Sequence, residues 1–395
     1  MNYILFDSEA RENLLPFAHT RPVADIRCGI LTMRERWEHL LGTTTGTLTQ
    51  GYMQACYEHT QTASETIYIN GAVMGNNQIA QQIAALSENE VLTKDGIVIA
   101  ARMPYHEGDV HTLNEAIDQI KAVAYDGELV HLRNIWDIFS LNETAINNDW
   151  QLLTQNKKSA PIPEGIVVNG KDNLFIEEGA VINAGTIINA KTGYVYVGKD
   201  AEILEGSLLR GPVAVCEHAV IKMGAKIYGA TTIGPGCKVG GEINNVVFFA
   251  NSNKSHDGYL GNAVIGEWCN LGADTNCSNL KNNYDVVKVW HEASQKEVNT
   301  GLTFCGLLMG DHSKCGINTM FNTGTVVGVS CNIYGGGFPD KNIPSFSWGG
   351  SEGFITYRFD KAMETANKMM GRRNKQLSSA EIAMYQHLFD NATKR

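Results

Sequence analysis

The stretch Lys254-Ser255-His256-Asp257-Gly258-Tyr259-Leu260-Gly261 holds the side chains of this chain best suited to moving a proton beside a polar ligand. An imidazole titrates near neutrality, so His256 is chemically fit to act as a general base. Tyr259 follows His256 by three residues, Asn270 by fourteen and Asn279 by twenty-three. A lone loop histidine is usually a solvated side chain. Here all four residues keep the phase of a repeat that fills the second half of the chain.

That repeat is one aliphatic residue every six positions, usually followed by a small residue. It starts at Ile176, Ile182 and Ile188, slips by three residues at Lys191–Tyr194, and runs from Val197 through Ile203, Leu209, Val215, Ile221, Ile227 and Ile233 to Val239. It returns at Ile265 and Leu271, then at Met309, Cys315, Phe321, Val327 and Ile333. Six is neither the 3.6 period of a helix nor the 2.0 period of a lone strand, so each hexad is one short strand plus one corner. Three hexads make a triangular coil with the aliphatic residue inward, and the glycines of Val197-Gly198, Ile233-Gly234 and Leu271-Gly272 suit the corners. Roughly twenty hexads predict about six or seven coils, a prism about 30 Å tall. Chance spacing in an ordinary β-sandwich does not give seven consecutive aliphatics in phase.

Composition fits that reading. The chain has 395 residues, 43% hydrophobic and 19% charged, with forty glycines for the corners and length enough for two or three domains. A net charge of −10 argues against nucleic acid as a bulk partner. The nine cysteines include no Cys-x-x-Cys pair and several sit at or beside inward positions, which predicts reduced thiols rather than a disulfide frame or zinc site. With no signal-like segment and no membrane-length apolar run, the expected location is cytoplasmic.

Residues 1–154 lack the six-residue period. Strands are expected at Tyr3–Phe6, Thr66–Ile69 and Ile97–Ala100. Helices are expected at Ile30–Leu41, Asn77–Leu86, Leu113–Val123 and Ile135–Ile146. This alternation predicts a parallel α/β sheet covered on both sides, with the loop after Phe6 as the first place to look for a ligand. A linker is expected at 155–165, the β-helix at 166–340, and a helical cap or clasp at 341–395. In that last segment Phe359, Met363, Ala366 and Met370 form one stripe, and Ser378 with Glu381 forms a capping box.

A solenoid commits its coils to packing, so function belongs where the period breaks: at 249–262, and from Ser278 to about Phe304. There the motif Lys254–Gly261, with Ile265-Gly266, Asn270-Leu271-Gly272-Ala273-Asp274-Thr275 and Ser278-Asn279-Leu280, resembles the acetyltransferase half of the bifunctional sugar-1-phosphate nucleotidyltransferase/acetyltransferases. The resemblance covers about 165–340 well. It implies a left-handed hexapeptide β-helix, a homotrimer with sites between neighbouring prisms, and acetyl-CoA as co-substrate. It also implies His256 as the base that deprotonates a sugar amine and the Ala273 N–H as an oxyanion donor. Tyr259, Asn270 and Asn279 would hold the sugar and its phosphate, and the coils around Gly316 and Gly335 would line the pantetheine groove. The family's phosphate-binding lysine twelve residues before the histidine is Asn244 here, which makes Lys254, Lys281 and Lys288 the candidates to replace it.

The opening residues resemble the nucleotidyltransferase half, through the first strand, Arg11, Leu15-Pro16 and Thr20-Arg21-Pro22. The family's glycine-rich turn is replaced by Asp7-Ser8-Glu9-Ala10, its lysine after Arg-Pro by Val23, and its Mg²⁺-binding Gly-Asp by Gly71-Ala72. Arg11, Arg21 and Arg27 remain as candidate nucleotide contacts, and Mg²⁺ is implied only if this domain is active. The primary expectation is acyl transfer to an amino sugar or sugar phosphate. Sugar-1-phosphate nucleotidyl transfer and a non-catalytic prism scaffold are the alternatives. His218 and His312 fall within the coils as corner or interface residues, since a zinc site on such a prism needs a different histidine spacing; His106 and His111 with Glu107 and Asp109 have the chemistry of a metal cluster but read better as a solvated loop.

Overall fold

A computed structural model describes residues 2–57 and 65–394. The chain forms two compact units. One comprises Met1–Ile26, Leu31–Ile135 and Ser378–His387; the other comprises Arg27–Ile30, Trp136–Leu377 and Leu388–Arg395.

The first unit is a six-stranded sheet of β1 (Asn2–Phe6), β2 (Gly46–Leu48), β3 (Glu65–Asn70), β4 (Glu90–Lys94), β5 (Ile97–Pro104) and β6 (Lys121–Ala124), ordered β2-β1-β3-β5-β4-β6. β1 runs parallel to β2 and β3, but β5 is antiparallel to both β3 and β4, so the sheet is mixed rather than parallel throughout. The tight turn at Asp95-Gly96, with both residues at positive φ, makes a hairpin of β4, a strand the sequence reading did not include, with β5. One face buries Leu5, Ile67 and Ile69 under Trp37 of α1 (Met33–Leu41) and under Ile79 and Ile83 of α3 (Asn77–Ala84), the short α2 (Gly51–Gln54) lying between those helices in sequence. The other face buries Ile4, Phe6 and Tyr68 against Val110, Leu113 and Ile117 of α4 (Val110–Ile117). The helix expected at Leu113–Val123 starts earlier, because Asp109 caps it by accepting from the His111 and Thr112 N–H groups. It stops at Ile117, and Lys121–Ala124 pairs with β4 instead.

In the second unit, α5 (Asp137–Ser140) and α6 (Asn142–Thr154) precede a parallel β-helix. One face stacks nine strands from Val167–Asn169 to Asn342–Ile343, and another stacks strands from Val181–Ile182 to Gly353–Thr356, of which only the last is antiparallel. All eighteen aliphatic, Cys or Phe residues of the sequence period point inward into one core, and none is more than 5% exposed. Each such side chain contributes roughly 1.5–3 kcal/mol by leaving water. Nine stacked strands make a prism about 40 Å tall, longer than expected. The added coils fill the first apparent break: Ile243, Phe248, Lys254 and Leu260 are inward residues, and the short intervals Val239–Ile243, Ile243–Phe248 and Leu260–Ile265, of four, five and five residues, hide the period. The second break is a true insertion, with an antiparallel hairpin of Lys288–His291 and Lys296–Asn299.

After the coils, α7 (Phe359–Gly371) buries Ala362, Met363, Ala366 and Met370. Phe346 of the last coil meets Phe359 and Phe389, at ring separations of 6.4 and 5.1 Å, which covers the open apolar end. The capping box before α8 (Ser379–Thr393) forms as the sequence predicts: Ser378 N–H donates to Glu381, and Glu381 N–H donates to Ser378 Oγ. No helix among the described residues is long and apolar enough to cross a membrane.

Candidate functional site

Lys254 builds the corner that carries His256. The repeat places Lys254 at an inward position beside Val239, and it is 0% exposed. Its ammonium donates to the carbonyls of His256 at 3.0 Å and Asp257 at 3.1 Å, tying the exposed corner down from inside the prism. Burial pushes the Lys254 ammonium down to about 8, although the nearby Asp257 opposes the shift. An acceptor phosphate on the surface is therefore not within this side chain's role. Gly258, at φ +113°, completes the corner; a Cβ there would lie 2.3 Å from the Thr275 carbonyl oxygen of the next coil.

Two clefts flank His256, and Ser255, His256 and Ala273 line both. The first, about 610 Å³, also has Leu204, Lys222, Met223, Asp257 and Asp274. The second, about 600 Å³, has Asn253, Asn270, Lys238 and, from the end of α7, Met369, Arg372 and Arg373. The structure thus brings His256, Asn270 and Ala273 together. The Ala273 N–H makes no hydrogen bond among the described residues, so it is open to a ligand oxygen.

Tyr259 and Asn279 form a second group on the neighbouring face. Both crowd the backbone of Gly261, where an added Cβ would meet Tyr259 Oη at 2.4 Å and Asn279 Nδ2 at 2.7 Å. Asn276 accepts from the Tyr259 N–H at 2.7 Å, and Asn279 donates to Asn262 at 2.7 Å.

The remaining candidates lie elsewhere. Lys281 donates to the Val286 carbonyl, and Lys288 lies on the inserted hairpin; neither lines a cleft beside His256. Gly316 stacks against Gly272 in the next coil, and its neighbour Ile317 lines the cleft, while Gly335 turns a corner at φ +100°. Lys238, Asn253, Arg372 and Arg373 were not singled out from the sequence. Lys238 and Asn253 could have been found by register, since Lys238, Asn253 and Asn270 are paired neighbours on successive coils. The arginines carry no such signal, because only tertiary folding returns the end of α7 to this corner.

In the α/β unit, a cleft of about 680 Å³ opens at the ends of β1 and β3, lined by Ser8, Glu9, Ala10 and Asn13 of the loop after Phe6, and by Asn70, Asp118, His131 and Arg133. Arg11, Arg21 and Arg27 are not among its lining residues. Arg11 is buried and donates to the Ala18 carbonyl and Tyr52, Arg21 is buried, and Arg27 donates to the Ile30 carbonyl within the other unit. Asp7 also turns inward, accepting from the Val23 N–H and Thr49. Burial raises its carboxyl to about 6. Asp109 is engaged in capping α4, and His106 meets Thr112, while His312 stacks on Trp268.

A parallel β-helix preceded by an α/β sheet is the architecture that the sequence resemblance implied. Residues 3–158 match the sugar nucleotidyl transferase family model. The chain is 28% identical over 268 residues to a bifunctional sugar-1-phosphate nucleotidylyltransferase/acetyltransferase of Sulfurisphaera tokodaii, covering 68% of this chain and 60% of that protein. It is 27% identical over 235 residues to the bifunctional protein GlmU of Methanocaldococcus jannaschii, covering 60% of this chain and 50% of that protein. The chain is similar to these bifunctional proteins and spans half to three-fifths of their length. Among solved structures, UDP-N-acetylglucosamine acyltransferase from Campylobacter jejuni overlaps with a TM-score of 0.31 at 14% identity, over 57% of this chain and 95% of that one. The Francisella novicida UDP-N-acetylglucosamine acyltransferase overlaps with a TM-score of 0.26 at 11% identity, over 59% and 90%.

Proposed function

We propose that the β-helix transfers an acetyl group from acetyl-CoA to the amine of an amino sugar or its 1-phosphate, in nucleotide-sugar biosynthesis. The observation that carries this reading is the convergence of His256 and the open Ala273 N–H on two clefts of ligand size, with Asn270 lining the second. In the proposed step the amine nitrogen attacks the thioester carbonyl carbon and His256 accepts the amine proton. The C–S bond then breaks, and the proton passes to the departing thiolate. The Ala273 N–H stabilises the oxyanion, a contribution of typically ~10²–10³ in rate for such a donor.

The separation of Tyr259 and Asn279 from His256 on adjacent faces supports a homotrimer in which a neighbouring prism completes the site. Exposed Val167, Ile187 and Leu208, stacked in register on successive coils, support self-association. The test is free-thiol release from acetyl-CoA over a panel of amino sugars and their 1-phosphates. Turnover on at least one amine acceptor is expected. The absence of both turnover and acetyl-CoA binding contradicts the reading.

A second reading, nucleotidyl transfer by the α/β unit, is favoured by the family match over 3–158. Its cleft offers Glu9 and Asp118 beside the single arginine, Arg133, and no lysine, a poor surround for a triphosphate. Consumption of a nucleoside triphosphate with a sugar 1-phosphate and Mg²⁺ would establish it.

A further inference from the structure

We propose that Lys238, Arg372 and Arg373 form an anion subsite that takes a phosphate group of the bound ligand, on the opposite flank of His256 from the cleft that takes the amine. The proposal rests on the acyl-transfer reading for its second half and on charge geometry for its first.

Three cations converge on the second cleft, and no carboxylate lines it. The side chains of Lys238 and Arg372 make no ion pair or hydrogen bond among the described residues. Arg373 is fixed in place: it donates to Asn251 at 3.0 Å, and its guanidinium lies 5.8 Å from the centre of the Trp268 ring. Burial disfavours its charged form, against the opposing effect of Cys237, and the like charge of Arg372 adds a smaller contribution in the same direction as burial. Adjacent guanidinium groups held at one cleft without a counter-charge are unfavourable until an anion arrives. Two planar forks and a flexible ammonium together suit a phosphate dianion or a pyrophosphate.

The other cleft has the opposite balance. Asp257 and Asp274 outnumber its one lysine, Lys222, and favour a ligand that arrives as an ammonium. His256 stands where the two fields meet. A ligand carrying both an amine and a phosphate, or an amine acceptor and a phosphate-bearing acyl donor meeting there, would be oriented by charge alone. The phosphate could belong to either substrate, and the chemistry of recognition is the same. The subsite also supplies cations where Asn244 does not, Lys238 from a coil and Arg372 and Arg373 from the end of α7.

The test is calorimetric titration of the full chain at low ionic strength with adenosine 3′,5′-bisphosphate, glucosamine 1-phosphate and glucosamine. It compares wild type with Lys238→Gln/Arg372→Gln, and with Arg372→Lys as a charge-keeping control; melting temperatures confirm that the variants fold. Arg373 is left intact because it anchors α7. Wild type should bind at least one phosphate probe, and the double variant should weaken that binding by at least about tenfold. The lysine control should recover most of it. Loss confined to adenosine 3′,5′-bisphosphate assigns the subsite to the acyl donor; loss confined to glucosamine 1-phosphate assigns it to the acceptor. Failure of wild type to bind either phosphate probe, or equal binding by the double variant, overturns the subsite. Because the readout is binding, a protein without turnover that still shows the loss sinks only the acyl-transfer reading. An active protein with unchanged KM for both substrates in the double variant sinks only the subsite.

Discussion

Lys254 occupies a place that the repeat reserves for an aliphatic side chain, and its consequences are measurable. The ammonium titrates near 8 in the folded chain against 10.5 when solvated, so burial holds it uncharged more readily than water does. A lysine so depressed costs on the order of 3 kcal/mol at neutral pH, and the cost fades as pH rises from about 8 towards 10.5, where the unfolded chain also loses the proton. Denaturant unfolding of wild type and Lys254→Met should therefore diverge with pH. Wild type gains stability relative to the variant between pH 7 and pH 10, whereas a pH-independent difference contradicts the burial of a charge. The cysteines permit a second check at this scale. Eight of the nine are buried, and burial pushes the Cys237 and Cys305 thiols up to about 12; only Cys56 is half-exposed. A thiol reagent should label one residue fast in the native protein, and Cys56→Ser should abolish that phase. Several fast thiols would show that the coils open.

The corner at Ser255–Gly258 is the element on which the site depends. Gly258 at φ +113° has no room for a Cβ against the Thr275 carbonyl, so Gly258→Ala must displace either this corner or the next. We expect a loss of about 2–3 kcal/mol in stability and a fall in turnover of at least about tenfold through a displaced His256, read by melting temperature and kcat together. Turnover and stability equal to wild type would show that the corner does not position the base.

Much of this element was legible in sequence, since a core residue every six positions is dictated by packing, and every residue picked on that ground is inside. The coils from Ile243 to Leu260 were hidden because their sides shorten and because one core residue, Lys254, is charged. In the α/β unit the loop after Phe6 lines a cleft, and Arg11 lies outside that lining because the Ala18 carbonyl and Tyr52 engage it, a tertiary pairing that the sequence does not display. The mixed sheet escaped notice because Glu90–Lys94 and Lys121–Ala124 are short strands without clean alternation.

For the whole molecule, the exposed row Val167, Ile187 and Leu208 predicts assembly. Light scattering should give three times the 43.2 kDa chain mass, and Leu208→Glu should shift the population towards monomer with parallel loss of turnover. A monomeric, fully active wild type would contradict a site completed between protomers. The central claim is that His256 moves a proton between the amine and the departing thiol. Its most direct test is the rate of thiol release from acetyl-CoA, with the preferred amine acceptor saturating, in wild type and His256→Ala across pH 6 to 9. Loss of the base predicts a fall in kcat of about 10²–10⁴ in the variant with little change in either KM, together with a changed pH profile of the rate. A variant that turns over at the wild-type rate with the same pH profile would contradict it.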